Sequence, residues 1–165
     1  MNYTLREMEP SDAPRVLEIF QEGIESGLAT FETQAPSWES WDMSHHKVCR
    51  LILEDQDHEV LGWAALSPVS RRACFNGVAE LSVYLDSRAH GKGLGTMLLR
   101  QLILSSEEHE FWTLQAGVFP QNLASMRMHQ KAGFRLVGTR RRFGKLNGVW
   151  ADVALFERRS ELMDG

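Results

Sequence analysis

Residues 79-AELSVYLDSRAHGKGLGTMLLRQLIL-104 carry the change of period that decides the fold. Ala79, Leu81, Val83 and Leu85 alternate with Glu80, Ser82 and Tyr84, as on a β-strand whose two faces differ. From Leu94 the apolar residues recur at helical spacing, which predicts a helix. Between these segments stand Gly91, Gly93 and Gly95. Glycine removes the side chain where a backbone must approach something closely, and it permits φ > 0. A helix start presents unpaired N–H groups and partial positive charge. Strand, bare turn and helix start in that order predict an anion site suited to phosphate or pyrophosphate, flanked by Arg88 and Lys92.

Two familiar nucleotide motifs fail here at a defining position. A P-loop closes on Gly-Lys-Ser/Thr, whereas Lys92 is followed by Gly93. A dinucleotide fingerprint that starts at Gly91 and Gly93 needs a glycine where this chain has Thr96.

Working outward, Tyr3 to Met8 reads as a first strand. Ser11 or Asp12 can cap a helix with Pro14 in its first turn and a buried stripe of Val16, Leu17, Ile19, Phe20 and Ile24. The stretch 26-SGLATFETQAP-36 reads as a loop, and a second helix begins after Ser37, carrying Trp38, Trp41, Val48 and possibly Cys49. Strands near 50–54 and 59–67 flank the turn 55-DQDH-58, and residues 68–77 form a loop. After the opening segment, 112-WTLQAGVF-119 alternates as a strand until Pro120. Asn122 caps a short helix that ends at Gly133. Strands near 134–142 and 149–157 are joined by the turn 144-GKLNG-148. No repeat or linker interrupts the pattern, so a single mixed α/β domain over residues 1–165 is expected.

A hydrophobic fraction of 43%, a charged fraction of 24% and a formal charge of −4 describe an ordinary globular chain. Acidic balance argues against a nucleic-acid partner. Arg140-Arg141-Arg142 and Arg158-Arg159 read as solvated edges. Cys49 and Cys74 lack disulfide or metal spacing and read as buried thiols of a reducing compartment. No signal-peptide pattern and no apolar run of ~20 residues is present, so a cytoplasmic protein without a membrane partner is expected. His45, His46, His58 and His109 read as surface, and no metal is expected. The five tryptophans read as core or interface residues.

Arg88-x-x-Gly91-x-Gly93 after a strand resembles the pyrophosphate loop of the GNAT superfamily of N-acetyltransferases. The blocks 30-TFET-33, 70-SRRACFNGVAELSVYL-85, 122-NLASMRMHQKAGF-134 and 148-GVWADV-153 resemble its phosphinothricin/methionine sulfoximine acetyltransferase branch, across essentially the whole chain. The resemblance implies a mixed, mostly antiparallel twisted sheet with flanking helices. It also implies acetyl-CoA as co-substrate, a small amino-acid-like amine as acceptor, and a homodimer. It would place Val83, Tyr84 and Leu85 along the coenzyme, Arg88 and Gly91, Lys92, Gly93, Leu94, Gly95 and Thr96 on its diphosphate, and Asn122 and Ser125 on its pantetheine arm.

Glu80, in the middle of a strand and on the same face as Tyr84, is unusual unless it projects into a cleft as a general base; a solvated edge glutamate is the plainer alternative. His129 shares a helix face with Asn122 and Ser125, and the resemblance implies an acid role toward the coenzyme sulfur or a place beside it. A structural histidine is equally compatible with the pattern. Arg71 and Arg72 could fork onto an acceptor carboxylate or phosphinate, with Phe31, Glu32 and Tyr84 on the opposite wall. Phe75 stands where the family often has tyrosine, so one hydroxyl contact is missing. Two other readings stay open: acetylation of a peptide or protein amine, and a coenzyme-binding domain without catalysis, which would not need Glu80.

Overall fold

The computed structural model describes residues 2–163. In chain order it contains β1 (Tyr3–Glu7), α1 (Ala13–Ser26), α2 (Trp38–Ser44), β2 (Leu51–Asp55), β3 (Val60–Pro68) and β4 (Val78–Leu85). There follow α3 (Leu94–Glu108), β5 (Thr113–Val118), α4 (Leu123–Lys131), β6 (Arg135–Leu146) and β7 (Val149–Arg159). The strands form one seven-stranded sheet in the order β1-β2-β3-β4-β5-β7-β6. Every neighbouring pair is antiparallel except β4 with β5. This is the mixed sheet with flanking helices that the resemblance implies.

The alternation along β4 sorts the interior into two layers. Ala79 and Leu81 point to one face and pack with Leu98, Leu99 and Leu102 of α3 and with Phe134 and Phe156. Tyr84 points to the other, where Trp63 of β3 meets Val16, Ile19 and Phe20 of α1 and Trp41 of α2. Each fully buried aliphatic or aromatic side chain contributes about 1.5–3 kcal/mol. Trp63 is wholly buried, with its ring 4.9 Å from Tyr84 and 5.3 Å from Trp41. Trp63→Ala would remove the centre of that layer at a cost of about 3–5 kcal/mol.

Several local expectations are corrected by competing interactions. Asp12 occupies the N-cap position of α1 but does not cap it. Its carboxylate accepts the fork of Arg6 at 2.9 and 2.8 Å and the Glu9 amide at 2.7 Å. Two charge-assisted bonds outweigh one cap. Ser37 does cap α2, accepting from Ser40 N at 3.2 Å, but the helix ends at Ser44 and leaves Val48 and Cys49 in the loop beyond. The last turn is tighter than the sequence suggests. β6 and β7 run on to a two-residue connection, Asn147 (φ 51°) and Gly148 (φ 80°), the paired left-handed conformation that a short hairpin needs.

Cys49 and Cys74 are free thiols; Cys49 is buried, but Cys74 is exposed on a 3-10 turn over Ala73–Phe75. His45 is not a surface residue: its ring stacks on Trp41 at 4.0 Å. His46 is half-buried, with its Nε2 enclosed and unpartnered. Among the described residues no helix is long and apolar enough to cross a membrane.

Candidate active site

β4 and β5 are joined by three rungs, Val78↔Thr113, Ala79↔Leu114 and Glu80↔Gln115, and then part. β4 stays paired with β3 as far as Leu85, and β5 stays paired with β7 as far as Val118. The Gly77 carbonyl accepts from Trp112 N and Thr113 N, so it faces β5. Strand alternation then turns the N–H and C=O of Leu81, Val83 and Leu85 into the gap. The Leu81 N–H still belongs to the last rung; beyond it, among the described residues, Val83 and Leu85 meet no strand on this side, and the Leu85 carbonyl is taken by His90 Nε2 at 3.2 Å.

A cavity of about 330 Å3 occupies the gap, which is within the range for a small-molecule site. β4 contributes Glu80, Ser82, Val83 and Tyr84; β5 contributes Gln115 through Val118, and Phe119 follows just beyond it. α4 closes one end with Asn122, Ser125, Met128 and His129. Ala29, Thr30 and Phe31 roof it, while Arg140 and Phe143 of β6 stand with Val153 and Leu155 of β7 on the far side.

Glu80 is exposed to this space, with its Oε1 3.4 Å from Gln115 Nε2. Tyr84 packs between Phe20 and Trp63. Burial pushes the phenol up to about 12, so it stays neutral at ordinary pH. Phe31 meets Phe119 edge-on at 4.9 Å. It also lies over Gly144, where an added Cβ would come within 3.0 Å of the ring. Asn122 ties the roof to α4: its Oδ1 accepts from Ser125 N at 3.1 Å and its Nδ2 donates to the Leu28 carbonyl at 3.2 Å.

His129 is only 3% exposed. Its Nδ1 lies 2.8 Å from the Ser125 carbonyl, and a carbonyl only accepts, so Nδ1 carries the proton. Burial holds the ring's pKa below its ordinary value, which favours the neutral form. Nε2 is then a bare, buried acceptor with no protein partner among the described residues. An acid role would need the imidazolium that burial disfavours, and the geometry suits a neutral ring beside the cavity.

The glycine turn lies next to the open end of β4. Gly91 and Gly93 both have φ +75°, and an added Cβ at either would meet nothing within 4 Å. Gly93 begins α3 without a side-chain cap, leaving the amides of Leu94, Gly95 and Thr96 for an outside acceptor. Gly95 also meets a packing need. A Cβ there would stand 3.0 Å from Met128 Sδ and 3.4 Å from Leu85 Cδ1, so its absence lets α3 pack on α4 and β4.

The chain matches the acetyltransferase (GNAT) family model over residues 13–134. It belongs to that family. The phosphinothricin N-acetyltransferase of Streptomyces coelicolor is 29% identical over 89% of this chain and 90% of its own length. The L-methionine sulfoximine/L-methionine sulfone acetyltransferase of Pseudomonas aeruginosa is 26% identical over 95% of this chain and 94% of its own. A GNAT phosphinothricin acetyltransferase from Sinorhizobium meliloti, solved with acetyl-CoA, superposes with a TM-score of 0.88. It is 28% identical over 96% of this chain and 89% of that one.

Not every GNAT residue expected from the sequence reaches the cavity. Arg88 is committed elsewhere: its Nε bonds Asp86 Oδ1 at 3.0 Å and its Nη2 bonds Glu59 Oε1 at 2.8 Å. Lys92 is the cation left without a carboxylate partner at the glycine turn, among the described residues. Arg71, Arg72 and Phe75 are exposed on the loop before β4 and do not line the cavity; the Arg72 guanidinium lies 5.3 Å over the Phe75 ring. Glu32 is exposed and also outside the lining. Sequence reasoning missed Gln115, Arg140 and Phe143. Gln115 was visible as a polar residue on an alternating strand, whereas Arg140 lay inside an arginine run read as a solvated edge.

Proposed function

We propose that this GNAT enzyme transfers acetyl from acetyl-CoA to the amine of a small amino-acid-like acceptor by direct attack, with Glu80 as general base. The observation that carries this reading is the carboxylate of Glu80 at the last rung before the strands part, beside backbone groups of β4 without a strand partner. The relatives that act on phosphinothricin and methionine sulfoximine support the acceptor class. The roof of Phe31 over the cavity favours a small acceptor over a peptide laid in a groove.

The residues present fit the coenzyme. The left-handed turn at Gly91 and Gly93 leaves open space where side chains would otherwise project, and the uncapped start of α3 aims N–H groups and partial positive charge at a diphosphate. Lys92 adds a mobile cation. Arg88 acts on this turn through Asp86, holding the segment between β4 and α3. Leu81, Val83 and Leu85 face the pantetheine path, and Asn122 and Ser125 stand at its far side.

Bound acetyl-CoA supplies the acetyl group as a thioester. An α-amine of pKa about 8 is roughly one-tenth neutral at pH 7, a cost of about 1.4 kcal/mol, so the harder tasks are alignment and proton removal. Glu80 takes, directly or through one water, the proton that the nitrogen sheds as it bonds the acetyl carbon. The Val83 N–H donates to the carbonyl oxygen as negative charge develops there. The carbon–sulfur bond breaks, and a thiol of ordinary pKa about 8.5 leaves without strong acid help. A neutral His129 is therefore sufficient beside the sulfur.

The protein is proposed to work in the cytoplasm as a homodimer through the exposed apolar hairpin of β6 and β7. A thiol-release assay with acetyl-CoA tests the function, using L-methionine sulfone, L-methionine sulfoximine, phosphinothricin, ordinary amino acids and a short peptide. Turnover with the small amines is expected. Release only with the peptide would replace the acceptor class, and none with any amine would reject catalysis.

A further inference from the structure

We infer that Arg140 is the anion receptor of the acceptor pocket, holding the α-carboxylate of an amino-acid substrate whose amine faces Glu80. The inference rests on the small-amine reading above and names the residue that would select within it.

The placement of Arg140 is built by an irregularity in β6. This strand pairs with β7 at Arg140↔Val153 and again at Gly144↔Ala151, so three residues of β6 stand opposite Asp152 alone. Arg142 takes φ 47°, an uncommon conformation for a residue with a side chain, and its amide donates to Asp152 Oδ1 at 2.8 Å. On a regular strand residues 140 and 143 would face opposite sides. The bulge turns both to the cavity and sets the Arg140 guanidinium carbon 4.7 Å from the centre of the Phe143 ring. A ring against the guanidinium face leaves the in-plane N–H fork open to a carboxylate.

The charges agree with this role. Among the described residues Glu80 and Arg140 are the formally charged side chains that line the cavity, and His129 beside them is held neutral. Arg140 has no carboxylate partner of its own there. One carboxylate and one unpaired guanidinium form a lining complementary to a zwitterion. Arg71 and Arg72 lie outside it.

The test compares two acetyl acceptors, L-methionine sulfone and its carboxylate-free counterpart 3-(methylsulfonyl)propan-1-amine, in wild type, Arg140→Gln and Arg140→Lys. The measured quantity is the ratio of kcat/KM for the first to that for the second, with the melting temperature recorded for each variant. Arg140→Gln is expected to lower the ratio about 10- to 100-fold through KM for the amino acid, and Arg140→Lys to fall between, keeping charge but losing the fork. A ratio equal to wild type in a folded Arg140→Gln overturns the inference. Should that variant not fold, a wild-type ratio in Arg140→Lys overturns it equally. Should wild type use neither amine, the ratio is taken with whichever amino acid of the panel above it acetylates and that acceptor's decarboxylated counterpart; a wild type that acetylates none of the panel refutes the proposed function itself, and the inference falls with it.

Discussion

Gln115 Nε2 lies 3.4 Å from Glu80 Oε1 across the last rung that joins β4 to β5. The amide steadies the carboxylate at the point where the sheet opens. Glu80→Gln is expected to reduce kcat by about 100-fold near pH 7, within the usual range for a lost general base. Part of the rate should return toward pH 9, where the amine is deprotonated by solvent. A pH–rate profile from 6 to 9 decides the matter: full kcat throughout would remove Glu80 from the chemistry.

Gly27 and Gly93 have nearly the same left-handed backbone, φ 71° and 75°, and both would project a Cβ into open space. Alanine at either position therefore costs about 1–2 kcal/mol in conformational strain. Only Gly93 begins the helix proposed to hold the coenzyme diphosphate. Gly93→Ala should raise KM for acetyl-CoA about 10-fold, while Gly27→Ala, with a similar fall in melting temperature, should leave it near wild type. Equal KM values in the two variants would argue against a diphosphate at residues 91–96.

Acid should destabilise the fold in two stages. Burial lowers the folded pKa of His45, His46 and His129, so in the folded state they bind fewer protons than in the unfolded chain. Their contribution is complete above the unfolded value near 6.5 and is lost as pH falls from there through the depressed folded values. Asp86 is held well below the usual carboxylate range, chiefly by the Arg88 side chain at 3.0 Å, so its stabilisation survives to about pH 4 and is lost below. Melting curves from pH 7.5 to 3 should show both declines. His129→Phe is expected to flatten the first and Asp86→Asn the second; an unchanged slope in both would contradict the sign of these shifts.

Val149 and Trp150 are 68% and 53% exposed beside the hairpin turn, and Leu136, Val137 and Phe143 are exposed on the adjoining strand. Exposed apolar residues spread along one hairpin fit a contact between copies of the chain better than a wetted surface. Sedimentation equilibrium at micromolar concentration should give twice the chain mass for wild type, and about the chain mass for a Val149→Ser, Trp150→Ser double variant. A monomeric wild type would reject the homodimer.

The arginines show where sequence reading stopped. Arg71 and Arg72 were expected at the acceptor because they precede Glu80 by eight or nine residues, yet their loop holds them outside the cavity. Arg140 lies sixty residues after Glu80 and reaches the same cavity because β6 folds back over β7 and bulges there. Arg88 was legible as a cation near the glycines, but its pairing with Glu59 depends on β3 and β4 lying side by side.

What the sequence by itself determined is local: the alternation that gives β4 two faces, the glycines that allow the left-handed turn, the asparagine cap of α4 and a turn between the last two strands. These depend on backbone sterics and hydrogen bonds within a few residues, so their causes are written in adjacent positions. Only the tertiary structure decided which polar groups share the gap between β4 and β5, which glycine also relieves packing, and which arginine reaches that gap. Those outcomes are set by contacts between segments far apart in the chain, where pairing register, burial and competition for the same carboxylates act together.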